Sequence, residues 1–210
     1  MRTLDRVLQR WRGRLARPWI EPGARVLDVG CFQGEFLASL GDGIGPSVGL
    51  DPLAEPAEFP RFRVEAGVFG PGSPWPDGSF DAVVMLATLE HVRDKDPVAR
   101  ECLRLLRPGG RVVVTVPSRR VDAVVDVLRV LRLVDGMSLE EHHGFDPLTA
   151  PEIFGRHGFD LVHARRFQLG LNHLFVMAKP GGVGSRTRRR NPRKDPTIVP
   201  YAGPPATRHP

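Results

Sequence analysis

The sequence predicts an α/β fold, a doubly wound and mostly parallel sheet of seven strands with helices on both faces. Short apolar runs alternate with helical patterns between residues 25 and 117, as expected when each parallel strand is followed by a crossover helix. The last two apolar runs, at 159–167 and 172–179, are separated by four residues. So short a link permits only an antiparallel pair, and the sheet is therefore predicted to end in an antiparallel hairpin.

The individual elements follow from the period of their apolar residues and from the glycines and prolines between them. Strands are predicted at 25–29, 47–51, 61–65, 80–86, 111–116, 159–167 and 172–179. Helices are predicted at 3–16, 35–40, 97–106, 119–134 and 151–157. The stretch 66–79 is rich in glycine and proline and is predicted to be a loop.

The first predicted helix, 3–16, carries apolar residues on one face and arginines over much of the rest. A basic amphipathic helix can lie on a membrane surface, and the alternative is a helix that packs against the domain. The chain has no apolar run of about 18 residues and no signal-peptide pattern at its start. Its two cysteines, Cys31 and Cys102, lack metal-ligand spacing. We therefore expect a cytoplasmic protein without a metal or a transmembrane segment.

The excess of positive charge lies at the C-terminal end of the chain. The whole sequence has a net charge of +6, and residues 180–210 hold seven Lys or Arg against one Asp, so that residues 1–179 balance to zero. A nucleic-acid-binding domain is expected to carry its basic residues on the folded body. The charge distribution therefore does not indicate nucleic acid as a partner.

The first motif with chemical meaning is the turn after the first predicted strand. Gly30 and Gly34 allow backbone conformations that are closed to other residues, and they let a ligand approach the backbone. Doubly wound sheets bind nucleotide-like ligands here, outside the carboxyl ends of the strands. Asp51 ends the second predicted strand, where a carboxylate can accept hydrogen bonds from ribose hydroxyls. Each feature alone also fits an ordinary turn or a cap, so both interpretations stay open on these residues.

Four segments, in order, resemble class I S-adenosylmethionine-dependent methyltransferases, and most closely the group that acts on small molecules and quinones. They are VLDVGCFQG at 26–34, GLDP at 49–52, SPWPDGSFDAVVMLATLEHVRD at 73–94 and LRLLRPGGRVVVTVP at 103–117. The segment FQLGLNHLFVMAKP at 167–180 is similar to the terminal hairpin of that family. The resemblance implies a Rossmann-like fold and methyl transfer from S-adenosylmethionine to a small-molecule acceptor by in-line displacement.

The resemblance also implies roles for individual residues. Asp28 and the turn that follows it would hold the methionine end of the cofactor, and Asp51 would bind the ribose. The backbone around Leu86 and Ala87 would line the site near the sulfonium. The complete set of implied cofactor-binding residues is Asp28, Gly30, Cys31, Gly34, Asp51 and Leu86.

Two positions depart from the pattern of the family. The usual Gly-x-Gly-x-Gly turn has Phe32 at its middle glycine position, where a side chain either points away from the cofactor or reduces its room. The acidic residue that ordinarily lies near the adenine is absent from the loop after the third strand, and Phe69 stands about where it would be. We expect backbone groups and stacking on Phe69 to hold the adenine instead.

The apolar period, the resemblance and the composition together predict that the chain divides into three parts. Residues 1–20 form the N-terminal amphipathic helix, residues 21–180 the methyltransferase domain, and residues 181–210 a disordered, basic, proline-rich tail. Within the domain, the segment 118–148 is expected to be helical and to cover the substrate. Its apolar helix, 119–134, would line the acceptor pocket, form a contact in a homodimer, or pack against the sheet.

The sequence does not identify a catalytic residue. A base is needed only if the acceptor must lose a proton. His142 and His143 are the best candidates because they lie in the covering segment and histidine titrates near neutral pH; the alternative is a solvated loop. His91 is expected to shape the loop after strand 80–86.

Two other function classes compete with methyl transfer. An NAD-dependent oxidoreductase shares the doubly wound sheet, but it usually carries Gly-x-Gly-x-x-Gly, which the turn at 30–34 does not supply. A methyltransferase-like module that binds a partner without catalysis would be consistent with Phe32 and with the missing loop acid.

Overall fold

The computed structural model describes residues 3–118 and 146–181. In that part of the chain the strands are β1 Val26–Val29, β2 Ser47–Asp51, β3 Ala57–Glu58, β4 Phe62–Ala66, β5 Phe80–Leu86, β6 Leu106–Pro117, β7 Asp160–Phe167 and β8 Asn172–Ala178. The α-helices are α1 Thr3–Ala16, α2 Glu35–Leu40, α3 Lys95–Leu105 and α4 Ala150–Arg156.

All the strands belong to one mixed sheet, in the order β3-β4-β2-β1-β5-β6-β8-β7. The five central strands β4, β2, β1, β5 and β6 run parallel. At the far edge β8 is antiparallel to β6, and β7 is antiparallel to β8. The predicted doubly wound sheet with its terminal hairpin is therefore confirmed. The predicted number of seven strands is one too low, because the two-residue strand β3 adds an antiparallel edge to β4.

Two element boundaries differ from the prediction by more than one residue. Helix α3 begins at Lys95 rather than at residue 97, because the Asp94 carboxylate accepts a hydrogen bond from the Asp96 N–H at 3.2 Å and caps the helix. Strand β6 begins at Leu106 rather than at residue 111, because Leu106 already pairs with Phe80 of β5 before an irregularity in the register.

Helices cover both faces of the sheet, as predicted. Successive residues of a strand point to opposite faces, so Val83 and Met85 of β5 pack with α3 and α4, whereas Ala82 and Val84 pack with α1 and α2. Because strands buried on both faces need apolar residues throughout, this arrangement explains the continuous apolar run in β5.

Helix α1 packs against the second face. Ala16 is fully buried, and Gly13 lies so close to the Phe36 ring that an added Cβ would come within 3.2 Å of it. The predicted helix and its packing on the domain are thus observed. Among the described residues, none of the helices has the length and apolar content that a membrane crossing requires.

Part of the predicted organisation lies outside the described residues. This applies to helix 119–134, to His142 and His143, and to all but the first residue of the predicted tail. The substrate-covering role of segment 118–148 therefore stays a prediction.

Candidate active site

The turn between β1 and α2 adopts the left-handed conformation at alternate residues. Gly30, Phe32 and Gly34 have φ values of 75°, 52° and 82°. Glycine reaches this region without steric cost, whereas a residue with a Cβ is strained there by roughly 1–2 kcal/mol. Phe32 therefore accepts a conformation that favours glycine, and its ring is 44% exposed.

At two of these positions glycine is required for a second reason besides its φ angle, because no space is left for a Cβ. A Cβ on Gly30 would lie 2.6 Å from Thr88 Cγ2 and still closer to Thr88 Oγ1. A Cβ on Gly34 would lie 2.9 Å from both Phe62 and Val64. The turn is thus packed against β4 and against the loop after β5, and these contacts fix its position.

Asp51 at the end of β2 ties the turn to the neighbouring strand. One carboxylate oxygen accepts a hydrogen bond from the Phe32 N–H at 3.0 Å, and the other accepts one from the Leu53 N–H at 2.8 Å. Each carboxylate oxygen has two acceptor positions, so both keep capacity for a further donor. This remaining acceptor capacity suits the two hydroxyl donors of a ribose.

Asp28 is buried in the middle of the site, with 2% of its surface exposed. Burial raises the pKa of its carboxyl to about 7, and the negative charges of Glu35 and Asp51 add to the shift. Within residues 3–118 and 146–181, this carboxyl takes part in no hydrogen bond or ion pair. A cationic ligand group would stabilise its ionised form, so the site suits the ammonium of a methionine moiety.

The end of β5 completes the edge of the site. β5 lies beside β1, with Met85 opposite Val29, and this places Leu86 and Ala87 next to the glycine turn. Ala87 has a φ of 59°, and its N–H donates to the Thr115 carbonyl at 2.9 Å. Strained residues of this kind cluster at functional sites.

Two of the residues considered above belong to the core. Burial raises the pKa of the Cys31 thiol to about 12, and the side chain packs with Ala54 and Val64, so Cys31 is not a nucleophile at neutral pH. Phe69 is 9% exposed and belongs to the core on the α3 side of the sheet. Its predicted stacking on adenine is therefore restricted to the part of the ring that remains accessible.

Sequence reasoning missed Glu90, which follows β5 in the short 3-10 helix Leu89–His91. Only 3% of Glu90 is exposed, and its Oε2 has no hydrogen-bond partner among the described residues. Burial raises the pKa of the carboxyl to about 7, against the attraction of Arg12 and Lys95. An acidic residue four positions after the end of a buried strand was the available signal. His91 itself is exposed.

The comparisons with known proteins agree with this geometry. A family model described as a methyltransferase domain matches residues 2–164, most of the chain. The chain belongs to the class I S-adenosylmethionine-dependent methyltransferases. The match includes α1, and S-adenosylmethionine is the cofactor of this family, as predicted.

The curated relatives match the chain over part of its length and at about one-third identity. This methyltransferase is 33% identical over 147 residues to the ubiquinone biosynthesis O-methyltransferase of Sodalis glossinidius, covering 62% of the chain and 55% of the relative. It is 32% identical over 125 residues to the ubiquinone/menaquinone biosynthesis C-methyltransferase of Hahella chejuensis, covering 50% of the chain and 48% of the relative. The methyltransferase thus spans about half the length of these curated relatives.

A solved structure supports the fold. The S-adenosylmethionine-dependent methyltransferase of Methanosarcina mazei superposes with a TM-score of 0.57 at 18% identity, covering 80% of this chain and 97% of the other. At this identity the similarity concerns the fold alone.

The residues present fit the cofactor. Asp51 offers acceptors for the ribose, and Asp28 offers a buried carboxylate for the methionine ammonium. In the turn at 30–34, Gly30 and Gly34 have no side chain that would cover their backbone, so a ligand can approach it there. When bound, S-adenosylmethionine supplies an electrophilic methyl group on a sulfonium. In the described residues no group of three His, Cys, Asp or Glu side chains could hold a metal ion.

Proposed function

We propose that this chain transfers a methyl group from S-adenosylmethionine to a small-molecule acceptor. The observation that carries the proposal is the link between the glycine turn and Asp51, through the Phe32 N–H, beside the buried Asp28. The chain's own contribution to such a displacement is to hold the donor, to align the acceptor and to exclude water.

For the acceptor we propose a small aromatic compound of the quinone-precursor type. The relatives named for ubiquinone and menaquinone biosynthesis support this choice. The apolar helix predicted at 119–134 would suit an acceptor of this kind, since small-molecule pockets are lined mainly by apolar side chains.

The cofactor part of the proposal is tested by calorimetry with S-adenosylhomocysteine. Asp51→Asn keeps one carbonyl oxygen where the carboxylate has two acceptor oxygens, so we expect it to weaken binding about 10-fold or more. The matched control is Asp42→Asn, which changes a carboxylate that is 93% exposed. Binding that Asp51→Asn leaves unchanged would contradict the assigned role of Asp51.

The transfer itself is tested with methyl-labelled S-adenosylmethionine and a bacterial small-molecule extract. We expect one or more labelled aromatic products. A protein that binds S-adenosylhomocysteine but labels nothing would favour the methyltransferase-like binding module. The NAD-dependent oxidoreductase is not favoured, because the family match and the named relatives are methyltransferases.

A further inference from the structure

Two buried polar side chains without hydrogen-bond partners lie at the carboxyl edge of the sheet, beyond the cofactor residues. His173 of β8 is 7% exposed, and Ser118, directly after β6, is 9% exposed. Neither His173 Nδ1 nor Ser118 Oγ has a partner among the described residues. Buried polar atoms are almost always paired, so two such atoms at one edge require an explanation.

The register of the sheet makes these two residues neighbours. His173 stands opposite Val116, and the Ser118 N–H donates to the Leu171 carbonyl at 2.8 Å. Residues 116 and 118 share a face of their strand, so Ser118 is the diagonal neighbour of His173. Diagonal neighbours of an antiparallel pair lie about 7–8 Å apart between their Cα atoms, and the two polar groups can therefore serve one ligand.

The pair lies within reach of the methyl-transfer end of the site. Leu86 of β5 stands opposite Thr115 of β6, and the next strand is β8. Thr115 stands opposite Leu174, so two strand spacings of about 4.8 Å and one residue along β8 put the Cα atom of His173 roughly 10 Å from that of Leu86. Leu86 packs on the α1 side of the sheet, and His173 lies on the α3 side with Phe175. The inferred methyl position lies against the backbone at the end of β5, so an oxygen that contacts His173 Nδ1 can also lie beside the methyl group, with the rest of the acceptor outside these two groups.

The surroundings of His173 favour the neutral imidazole, which is the form that can accept a proton. The ring stacks parallel on Phe175, with centroids 5.9 Å apart. Burial lowers the pKa of His173, the charge of Arg166 directly opposite on β7 lowers it further, and Asp146 opposes the shift. At neutral pH the imidazole is therefore uncharged.

We infer that His173 and Ser118 form the acceptor end of the site, where His173 Nδ1 takes the proton of a phenolic hydroxyl while Ser118 Oγ hydrogen-bonds the same oxygen. The acceptor oxygen forms a bond to the methyl carbon, and its O–H proton passes to Nδ1. The sulfur–carbon bond breaks, and its electron pair stays on sulfur as a neutral thioether. This inference rests on the proposed methyl transfer and specifies a proton-bearing oxygen as the methylated atom.

The test compares His173→Gln and Ser118→Ala with wild type, using methyl-labelled S-adenosylmethionine with 4-butylcatechol and with a small-molecule extract from pH 5.5 to 8.5. His163→Gln is the matched control, because His163 is also a buried histidine in contact with an aromatic ring, that of Trp19, with centroids 4.7 Å apart. At saturating S-adenosylmethionine, where the pH dependence of cofactor binding through Asp28 no longer affects the rate, we expect His173→Gln to lower the rate of O-methylation about 10²–10⁴-fold and to abolish its fall at acid pH. Ser118→Ala should lower the rate of O-methylation less than His173→Gln does, and its rate should still fall at acid pH.

Two measurements do not depend on turnover. Calorimetry with S-adenosylhomocysteine should give the same affinity for His173→Gln and wild type, which also shows that the variant is folded. In wild type, NMR of the His173 ring proton should report a pKa below the ordinary histidine value of about 6.5 and a shift of the resonance when 4-butylcatechol is added to the cofactor-product complex.

The outcomes separate the two proposals. A wild type that labels no compound refutes the proposed function. A wild type that labels phenols while His173→Gln stays within about 3-fold of it, or that methylates carbon only, refutes the role of His173 and leaves the proposed function standing. If wild type methylates 4-butylcatechol, a His173 resonance that does not move when this compound is added to the cofactor-product complex refutes that role as well.

Discussion

The backbone N–H of Phe32 donates to the Asp51 carboxylate at 3.0 Å while Phe32 itself is held at a φ of 52°. The contact that shapes the glycine turn is thus made by the backbone and does not need the phenylalanine ring. The ring, 44% exposed, stands at a position where the family usually has glycine. The strain from the Cβ and the contribution of the ring to the free energy of unfolding can therefore be measured separately.

Replacing Phe32 by glycine should give a more stable protein than replacing it by alanine. Both variants lose the ring, but only alanine keeps a Cβ in the left-handed region, so Phe32→Gly should exceed Phe32→Ala by about 1 kcal/mol in the free energy of unfolding. Urea denaturation measures the difference.

The matched control is Phe59, which is 45% exposed and has no positive φ. There the order should be reversed by about 0.4–1 kcal/mol, since glycine adds entropy to the unfolded chain. If alanine gave the more stable variant at position 32 as well as at position 59, the turn would not be strained at Phe32.

Gly30→Ala should lower the free energy of unfolding much more than Gly23→Ala. The two glycines have nearly the same φ, 75° and 76°, and only Gly30 has a neighbour that an added Cβ would overlap. We expect the overlap with Thr88 to cost about 1–3 kcal/mol beyond the shared strain, as measured by urea unfolding of both variants. Thr88→Ala in the Gly30→Ala background should recover part of the loss. Equal losses at both glycines would mean that the turn is not packed against Thr88.

The sequence predicts elements well where local pattern and tertiary structure agree. The predicted helices 3–16 and 35–40 and the predicted strand 47–51 have the observed bounds, because their apolar periods and the glycine or proline residues near their ends coincide with burial. Strand β3 was missed because Ala57–Glu58 carries no apolar pattern and exists only through its pairing with β4.

The candidate site could be predicted only in part for a similar reason. Asp28, Gly30 and Asp51 lie in local motifs that the sequence displays. His173 appears in the sequence as one residue of an ordinary apolar strand, and its proximity to Ser118 follows from the register between β6 and β8. Register and burial of single polar atoms depend on the whole sheet and leave no local signal.

Binding of S-adenosylhomocysteine should depend on pH through Asp28. Burial and the neighbouring carboxylates raise the pKa of Asp28 to about 7, so below pH 7 the free protein carries a proton there that a bound ammonium group would expel. The dissociation constant should therefore rise about 10-fold from pH 8 to pH 6. Calorimetry in buffers of different ionisation enthalpy should show proton release on binding.

Asp28→Asn should weaken this binding and remove most of its pH dependence, whereas Asp42→Asn, at an exposed site, should keep both the affinity and the slope. A wild-type dissociation constant that is constant from pH 6 to pH 8 would contradict the proposed contact between Asp28 and the methionine ammonium.

Glu90 should make the folded protein less stable as the pH rises. Burial raises the pKa of this carboxyl from 4.5 to about 7, so the native state holds the proton more tightly than the unfolded chain. The stabilisation is complete below about pH 4.5 and is lost as the pH rises to about 7, and a shift of this size corresponds to about 3 kcal/mol. Glu90→Gln cannot ionise, so its free energy of unfolding relative to wild type should increase by about that amount between pH 4.5 and pH 8.

Urea unfolding at several pH values measures this difference, and taking it between variant and wild type cancels the titration of Asp28. Glu58→Gln supplies the reference for loss of a carboxylate at an exposed site. Because Arg12 and Lys95 attract the ionised Glu90, Arg12→Gln should make the pH dependence of the wild type steeper. A constant difference between Glu90→Gln and wild type would show that the Glu90 carboxylate is compensated in the native state, and that its unpaired Oε2 costs nothing.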